Sequence, residues 1–295
     1  MTSRDRLDAT AVAGLLLCCL LWGLNQVAIK AALPEVPPLV QLSLRSGIAA
    51  LLLLGWMRYR GVRFSPSDGT LGPGLLAGTL FAVEFACIFI GLSYTTAARS
   101  TVFINTSPLI VAAVLGAFVP AERLRPLQVG GLLIAFAAVA FAFAEGFSAH
   151  GGTLLGDALA VVAAILWGLT TVTIRMTVLR RAPSELTLAY QLFVPAILAP
   201  LAAWWAGEQW PPAWGWLSIG SVFYQAVIVT FASYLLWFWL LTRYPATRVQ
   251  SFVFLTPISG LLFAAALLGE PVTWRLVLAL VGVVLGITLV NRRAG

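Results

Sequence analysis

Two ionisable side chains, Glu84 and Arg45, lie deep inside long apolar runs of this 295-residue sequence. An ionised group at mid-bilayer depth costs about 2.5–3.5 kcal/mol on insertion scales, so it normally faces a cavity or a partner. Glu84 shares its helical face with Phe81, Ile88 and Gly91, which sets an acid among apolar walls. An acid so placed can bind and release a proton, and coupling to a proton gradient is the chemistry it suggests. The competing reading is an acid that only holds helices together. Arg45 can reach back to the surface on its long stem, pair with Glu84, or meet a solute carboxylate. The structural pair is the preferred expectation for Arg45.

A second chemical pattern is written twice. Arg99 to Pro108 reads RSTVFINTSP, and Arg248 to Pro257 reads RVQSFVFLTP. In both, Arg precedes Pro by the same spacing, Phe103 or Phe252 stands mid-way, and Ser107 or Thr256 comes just before the proline. Each proline removes a donor and frees a carbonyl one turn earlier, on Ile104 and Val253. In lipid such a carbonyl is tolerated where protein or a watery cavity surrounds it. Matched Pro-interrupted segments in two halves of a chain point to a solute path. Arg99 and Arg248 stand at helix N-termini, where the dipole disfavours a cation, so each is a candidate gate-side ion pair or anion contact. Asn105 in the first copy belongs to the same candidate set.

Asn25 lies one turn beyond Trp22 and can bond a neighbouring helix or orient a solute. Trp22-Gly23 returns as Trp167-Gly168, where the glycines also admit close helix packing. Tyr224 and Tyr234, well inside a long aromatic run, are the better cavity candidates there, whereas Trp204, Trp205, Trp210, Trp214 and Trp216 read as interfacial belt residues. Aromatic walls suit amphipathic solutes and can hold an amino group by cation–π contact. Lys30 and Arg175 read as helix C-terminal caps. Enzyme readings fare badly. The one histidine, His150, falls in a loop, and Cys18, Cys19 and Cys87 have no metal-ligand spacing. No phosphate loop is present, so neither a metal nor another cofactor is expected.

The elements that must position these residues follow from composition. The chain is 60% hydrophobic and 10% charged, with mean hydropathy +0.95; soluble domains carry about 25% charged residues. Runs of about 20 apolar residues cross roughly 30 Å of hydrocarbon, and ten such runs are expected: about 10–32, 37–57, 71–92, 97–119, 126–144, 154–176, 184–206, 214–241, 248–268 and 273–290. With the N-terminus inside, the inner side holds Arg4, Arg6, Arg58, Arg60, Arg63, Arg123, Arg125, Arg175, Arg180, Arg181, Arg243, Arg248, Arg292 and Arg293. The outer side holds Lys30, Arg99 and Arg275. That bias predicts cytoplasmic termini, and it explains the net charge of +7 without nucleic acid. Lys30 and Arg175, Pro38 and Pro183, Tyr94 and Tyr244, and Glu122 and Glu270 recur at offsets near those of the tryptophans and prolines. Residues 1–144 and 145–295 are therefore expected as two five-helix repeats, and an odd number of spans inverts the second relative to the first.

Trp22, Gly23, Asn25 and Lys30, the Leu44-Arg45 pair, the text from Tyr94, Ser107-Pro108-Leu109, and Glu122 with Glu270 together resemble the drug/metabolite transporter superfamily. The chain is similar in particular to its EamA-type ten-helix group, which includes the YddG-like amino-acid exporters. The resemblance covers both halves. It implies an all-α membrane protein of the bacterial inner membrane that moves a small-molecule substrate through the lipid bilayer by alternating access. Export of amino acids, aromatic or otherwise neutral, or of similar small metabolites is the expectation. The alternatives are the same fold carrying a phosphorylated or nucleotide-linked solute, and a non-transporting scaffold. Thr170 in place of Asn25 and Tyr190 in place of Arg45 imply that polar recognition is concentrated in the first half.

Overall fold

The computed structural model describes residues 7–64, 68–95, 97–142, 144, 153–210, 213–268 and 274–292. Among these, every regular element is helical. Helix α1 spans Ala9–Ala32, α2 Pro38–Arg60 and α3 Leu71–Gly91. The next apolar run is broken into α4, Ala97–Ile104, and α5, Ser107–Phe118; α6 follows at Pro126–Ala142. Then come α7, Leu154–Met176, and α8, Ser184–Trp205. The next long run is α9, Trp216–Phe223, a π-helical stretch Tyr224–Ser233, and α10, Tyr234–Arg243. The last elements are α11, Ala246–Ser251, a 3₁₀ turn Phe252–Phe254, α12, Leu255–Leu268, and α13, Trp274–Asn291.

Among the described residues six helices are long and apolar enough to cross a membrane, and Val102–Phe118, Pro126–Ala142 and Val277–Asn291 form shorter apolar helices. A chain with so many apolar helices is a multi-pass membrane protein. Its outward faces agree: Leu51 is 71% exposed and Leu154 86%, while Trp204, Trp205 and Trp216 stand 80–88% exposed at the ends of α8 and α9. Lipid covers such apolar side chains, and tryptophan favours the headgroup level.

Local sequence sets the breaks and caps. The α4/α5 break falls at Asn105-Thr106, just before Pro108, and Thr106 Oγ1 donates to the Phe103 carbonyl at 2.7 Å. The second copy changes from α-helix to a 3₁₀ turn at the equivalent place, before Pro257. The paired breaks therefore follow the paired prolines. Asp8 caps α1 by accepting from the Ala11 amide at 2.9 Å, and Thr153 caps α7 through the Gly156 amide.

Helices cross at small residues, as expected where lipid offers no hydrophobic drive for association. α6 packs on α13 at Gly131 and Gly286, where a Cβ on Gly131 would come within 2.6 Å of Leu289 Cβ. α1 crosses α12 at Gly23, whose added Cβ would sit 2.7 Å from the Gly260 amide nitrogen. The Trp22 ring is carried by that crossing into the centre of the bundle.

Candidate functional site

A cavity of about 250 Å³ lies in the middle of the bundle. Its walls come from α1 (Trp22, Asn25, Ile29), α3 (Phe81, Glu84, Phe85, Ile88), and the first break (Ile104, Asn105). The other half supplies Trp167, Thr170 and Thr171 from α7, Tyr234, Trp237 and Phe238 from α10, and Val253, Thr256 and Pro257 from the second break. Both residues expected to lose a carbonyl partner, Ile104 and Val253, thus line the cavity. Gln191 on α8 adds a further helix to the lining.

The aromatic wall is continuous. Trp22 packs against Trp237 at 4.8 Å, Tyr234 at 5.6 Å and Trp167 at 6.3 Å between ring centroids. Its indole N–H donates to Ser233 Oγ at 2.8 Å, which fixes the ring's orientation. Phe81 meets Phe85 at 4.7 Å and Tyr234 at 5.9 Å. Set into this wall are three buried acceptors without a hydrogen-bond partner: Glu84 Oε2, Asn25 Oδ1 and Gln191 Oε1. A buried acceptor left unmade costs about 1–3 kcal/mol, and acceptors lining a cavity can be satisfied by a donor that enters it. The arrangement favours an apolar or aromatic body with a donor-rich, positively charged head.

Arg45 does not reach the surface. It is fully buried, its Nη2 donates to Tyr234 Oη at 3.3 Å, and its guanidinium carbon lies 4.0 Å from the Phe85 ring centroid. It makes no ion pair with Glu84 within 4.0 Å. Neither snorkelling nor a direct Glu84 pair describes it, because Phe85 and Tyr234 take its place against the cavity. Arg175 also departs from expectation. Rather than only ending α7, it is buried, donates to the Leu241 carbonyl at 3.0 Å and pairs with Glu122. The Glu122 carboxylate also accepts from the Ala246 amide at 2.9 Å, the Thr247 amide at 3.0 Å and Thr247 Oγ1 at 2.9 Å. It therefore caps α11, and four elements meet at one buried charge.

Of the residues singled out by sequence, Trp22, Asn25, Glu84, Asn105, Trp167, Tyr234, Thr256 and Pro257 line the cavity together. Ser107 and Pro108 are buried behind the first break, outside the lining. Tyr94 is 45% exposed at the end of α3. Tyr224 is half-buried and donates to the Leu21 carbonyl at 2.9 Å, a helix-to-helix bond. Arg248 lies at the start of α11, partly buried and away from the cavity. The side chains of Lys30 and Arg99 lie outside the described residues, as do Glu270 and His150. Sequence reasoning missed the buried glutamines Gln41, Gln191, Gln225 and Gln250. A glutamine inside an apolar run was the available signal. Gln225 Nε2 donates to Gln41 Oε1 at 3.0 Å, and Gln250 Nε2 to Thr171 Oγ1 at 2.8 Å.

The model of the EamA-like transporter family matches this chain twice, over residues 9–144 and 154–292. The chain belongs to the EamA-like transporter family. It is 29% identical to an uncharacterized transporter of Archaeoglobus fulgidus, covering 87% of this chain and 88% of that one. It is 28% identical to a probable amino-acid metabolite efflux pump of Salmonella typhimurium, covering 88% and 87%. A solved crystal structure superimposes with a TM-score of 0.81 over 96% of each chain at 19% identity, which shows a shared fold. The EamA chain is thus a transporter of the drug/metabolite type, and its central cavity is the natural place to look for a transported solute.

Proposed function

We propose that this EamA protein is a secondary carrier that exports amino acids, with neutral and aromatic ones favoured, by alternating access. The observation that carries the reading is the cavity itself, an aromatic wall set with Glu84 Oε2, Asn25 Oδ1 and Gln191 Oε1 as unpartnered acceptors. An ammonium group satisfies such acceptors, and the rings cover an apolar side chain. In this reading Glu84 also takes up the coupling proton, and ten spans form two inverted five-helix repeats, residues 1–144 and 145–295, with both termini in the cytoplasm of the inner membrane. Three observations support the repeat. The family model matches each half separately, the two helix breaks correspond, and the ties between halves are reciprocal: Tyr244 Oη donates to Asp8 at 2.8 Å, and Thr95 Oγ1 to Asp157 at 2.7 Å. The relative named as an amino-acid metabolite efflux pump agrees with the solute class.

The same topology puts Glu122, Arg175 and the start of α11 at the cytoplasmic end. Their buried network closes that end, while the cavity lining extends to Ile29 and Leu92 near the outer ends of α1 and α3. A phosphorylated solute fits less well, because among the described residues no cation lines the cavity. Purified protein in liposomes tests the choice: labelled phenylalanine or leucine should enter, and unlabelled amino acids should compete where sugar phosphates do not. Competition by the phosphates alone would reverse the assignment.

A further inference from the structure

Arg45 is a buried cation with few hydrogen bonds. It is fully buried in α2, yet Nε and Nη1 carry no hydrogen bond, and Nη2 has one neutral partner, Tyr234 Oη, at 3.3 Å. A lone buried charge is expensive, and the usual remedy is an opposite charge with good hydrogen-bond geometry. Glu84 is near enough to interact electrostatically, but it forms no hydrogen bond or ion pair with Arg45 within 4.0 Å. What lies against the guanidinium is instead the ring of Phe85 at 4.0 Å, with Phe89 at 5.8 Å and Tyr234 at 5.9 Å. Phe85 and Tyr234 line the central cavity, so these two side chains form a thin wall between solute space and an under-bonded cation.

We propose that Arg45 is a covered anion subsite of this cavity, and that it receives the substrate's carboxylate once the Phe85 ring gives way. This rests on the amino-acid reading above and gives it a second pole. The acceptors Glu84, Asn25 and Gln191 hold the ammonium, and Arg45 Nε and Nη1 supply the parallel donors that a carboxylate takes in bidentate fashion. Cation–π contact with Phe85 holds the guanidinium when the site is empty. A carboxylate exchanges that contact for two charge-assisted bonds, so the subsite selects solutes that carry both poles over plain amines. The single cation beside an acid also suits a monoanionic carboxylate better than a phosphate dianion.

The test uses two one-pole probes on the purified full-length protein, 3-phenylpropionate and phenylalanine amide, followed through the cavity tryptophans Trp22, Trp167 and Trp237. Charge-assisted pairs differ from neutral contacts by enough to change affinity about tenfold or more. Arg45→Gln is therefore expected to lower the ratio of 3-phenylpropionate to amide affinity by about tenfold, Arg45→Lys to restore part of it, and Glu84→Gln to shift the ratio the opposite way. Should Arg45→Gln not fold, Phe85→Leu decides: thinning the cover should tighten 3-phenylpropionate binding. An unaltered ratio in Arg45→Gln, absence of 3-phenylpropionate binding to the wild type, or a Phe85→Leu protein that binds it no better overturns the subsite. Failure of the amino-acid reading looks different, because liposomes would then take up no labelled phenylalanine while Arg45-dependent carboxylate binding persisted.

Discussion

The buried pair of Glu122 and Arg175 allows one perturbation to be worked through in energy. Glu122 is 1% exposed and Arg175 8%. Glu122→Gln removes the charge that holds Arg175, leaving the guanidinium with the Leu241 carbonyl, and turns one acceptor oxygen into a donor that faces the amides of α11. Breaking a buried pair from one side costs about 3–5 kcal/mol. Arg175→Gln leaves the carboxylate with three donors, from Ala246 and Thr247, and with the N-terminal end of α11, so its cost is lower, about 2–3 kcal/mol. In Glu122→Gln/Arg175→Gln neither charge is stranded, and the loss falls short of the sum by about 2 kcal/mol or more. Equilibrium unfolding by SDS in mixed micelles measures all three. If the single losses add to within about 0.5 kcal/mol, the two side chains do not act as a pair and the reasoning fails.

Other perturbations follow from single contacts. Gly23→Ala places a methyl 2.7 Å from the Gly260 amide and should cost about 1–3 kcal/mol in the same assay. Gly55→Ala, which meets nothing within 4 Å, serves as the control and should leave stability unchanged or improved. Trp22→Phe loses the bond to Ser233 and should cost about 1 kcal/mol of stability. In the loop between α1 and α2, Glu35 is held below the usual carboxylate range by the Ser218 hydroxyl and the Gly215 amide. A lowered folded pKa means that its tie to Gly215 contributes stability above the unfolded pKa and loses it as pH falls through the lowered folded value. Protection of the Gly215 amide, its exchange measured against the intrinsic rate at each pH, should therefore fall only at acidic pH in the wild type. In Glu35→Gln that acid-induced step should be absent.

Much of the bundle was legible because apolar runs and prolines act locally. The paired breaks before Pro108 and Pro257 follow from a missing donor, wherever the helix sits. Trp22, Asn25, Glu84 and Tyr234 could be picked because a polar or ring-bearing residue inside an apolar run needs a reason. What remained hidden depends on meetings between distant segments. Glu122 and Arg175 are each ordinary at a helix end, and only the folded bundle joins them over the first turn of α11. Arg45 read as a pair for Glu84, since no sequence pattern shows Phe85 and Tyr234 occupying the space against it. Gln191 was overlooked because one glutamine in an apolar run looks tolerable until its carbonyl is found unpartnered beside the cavity.

The most direct measurement is uptake of labelled phenylalanine into liposomes by the wild type and by Asn25→Ala, Glu84→Gln and Tyr234→Ala, with Glu208→Gln as a control outside the cavity. If the cavity is the solute site, each of the three lowers uptake by about tenfold or more at limiting solute, the scale of one lost charge-assisted or buried contact. Glu208, which caps α2 through the Leu39 and Val40 amides, should affect stability and not solute preference. With Glu84 as the proton site, Glu84→Gln should also lose the response to an imposed pH gradient. Uptake that survives all three cavity substitutions would contradict the account, whatever the identity of the solute.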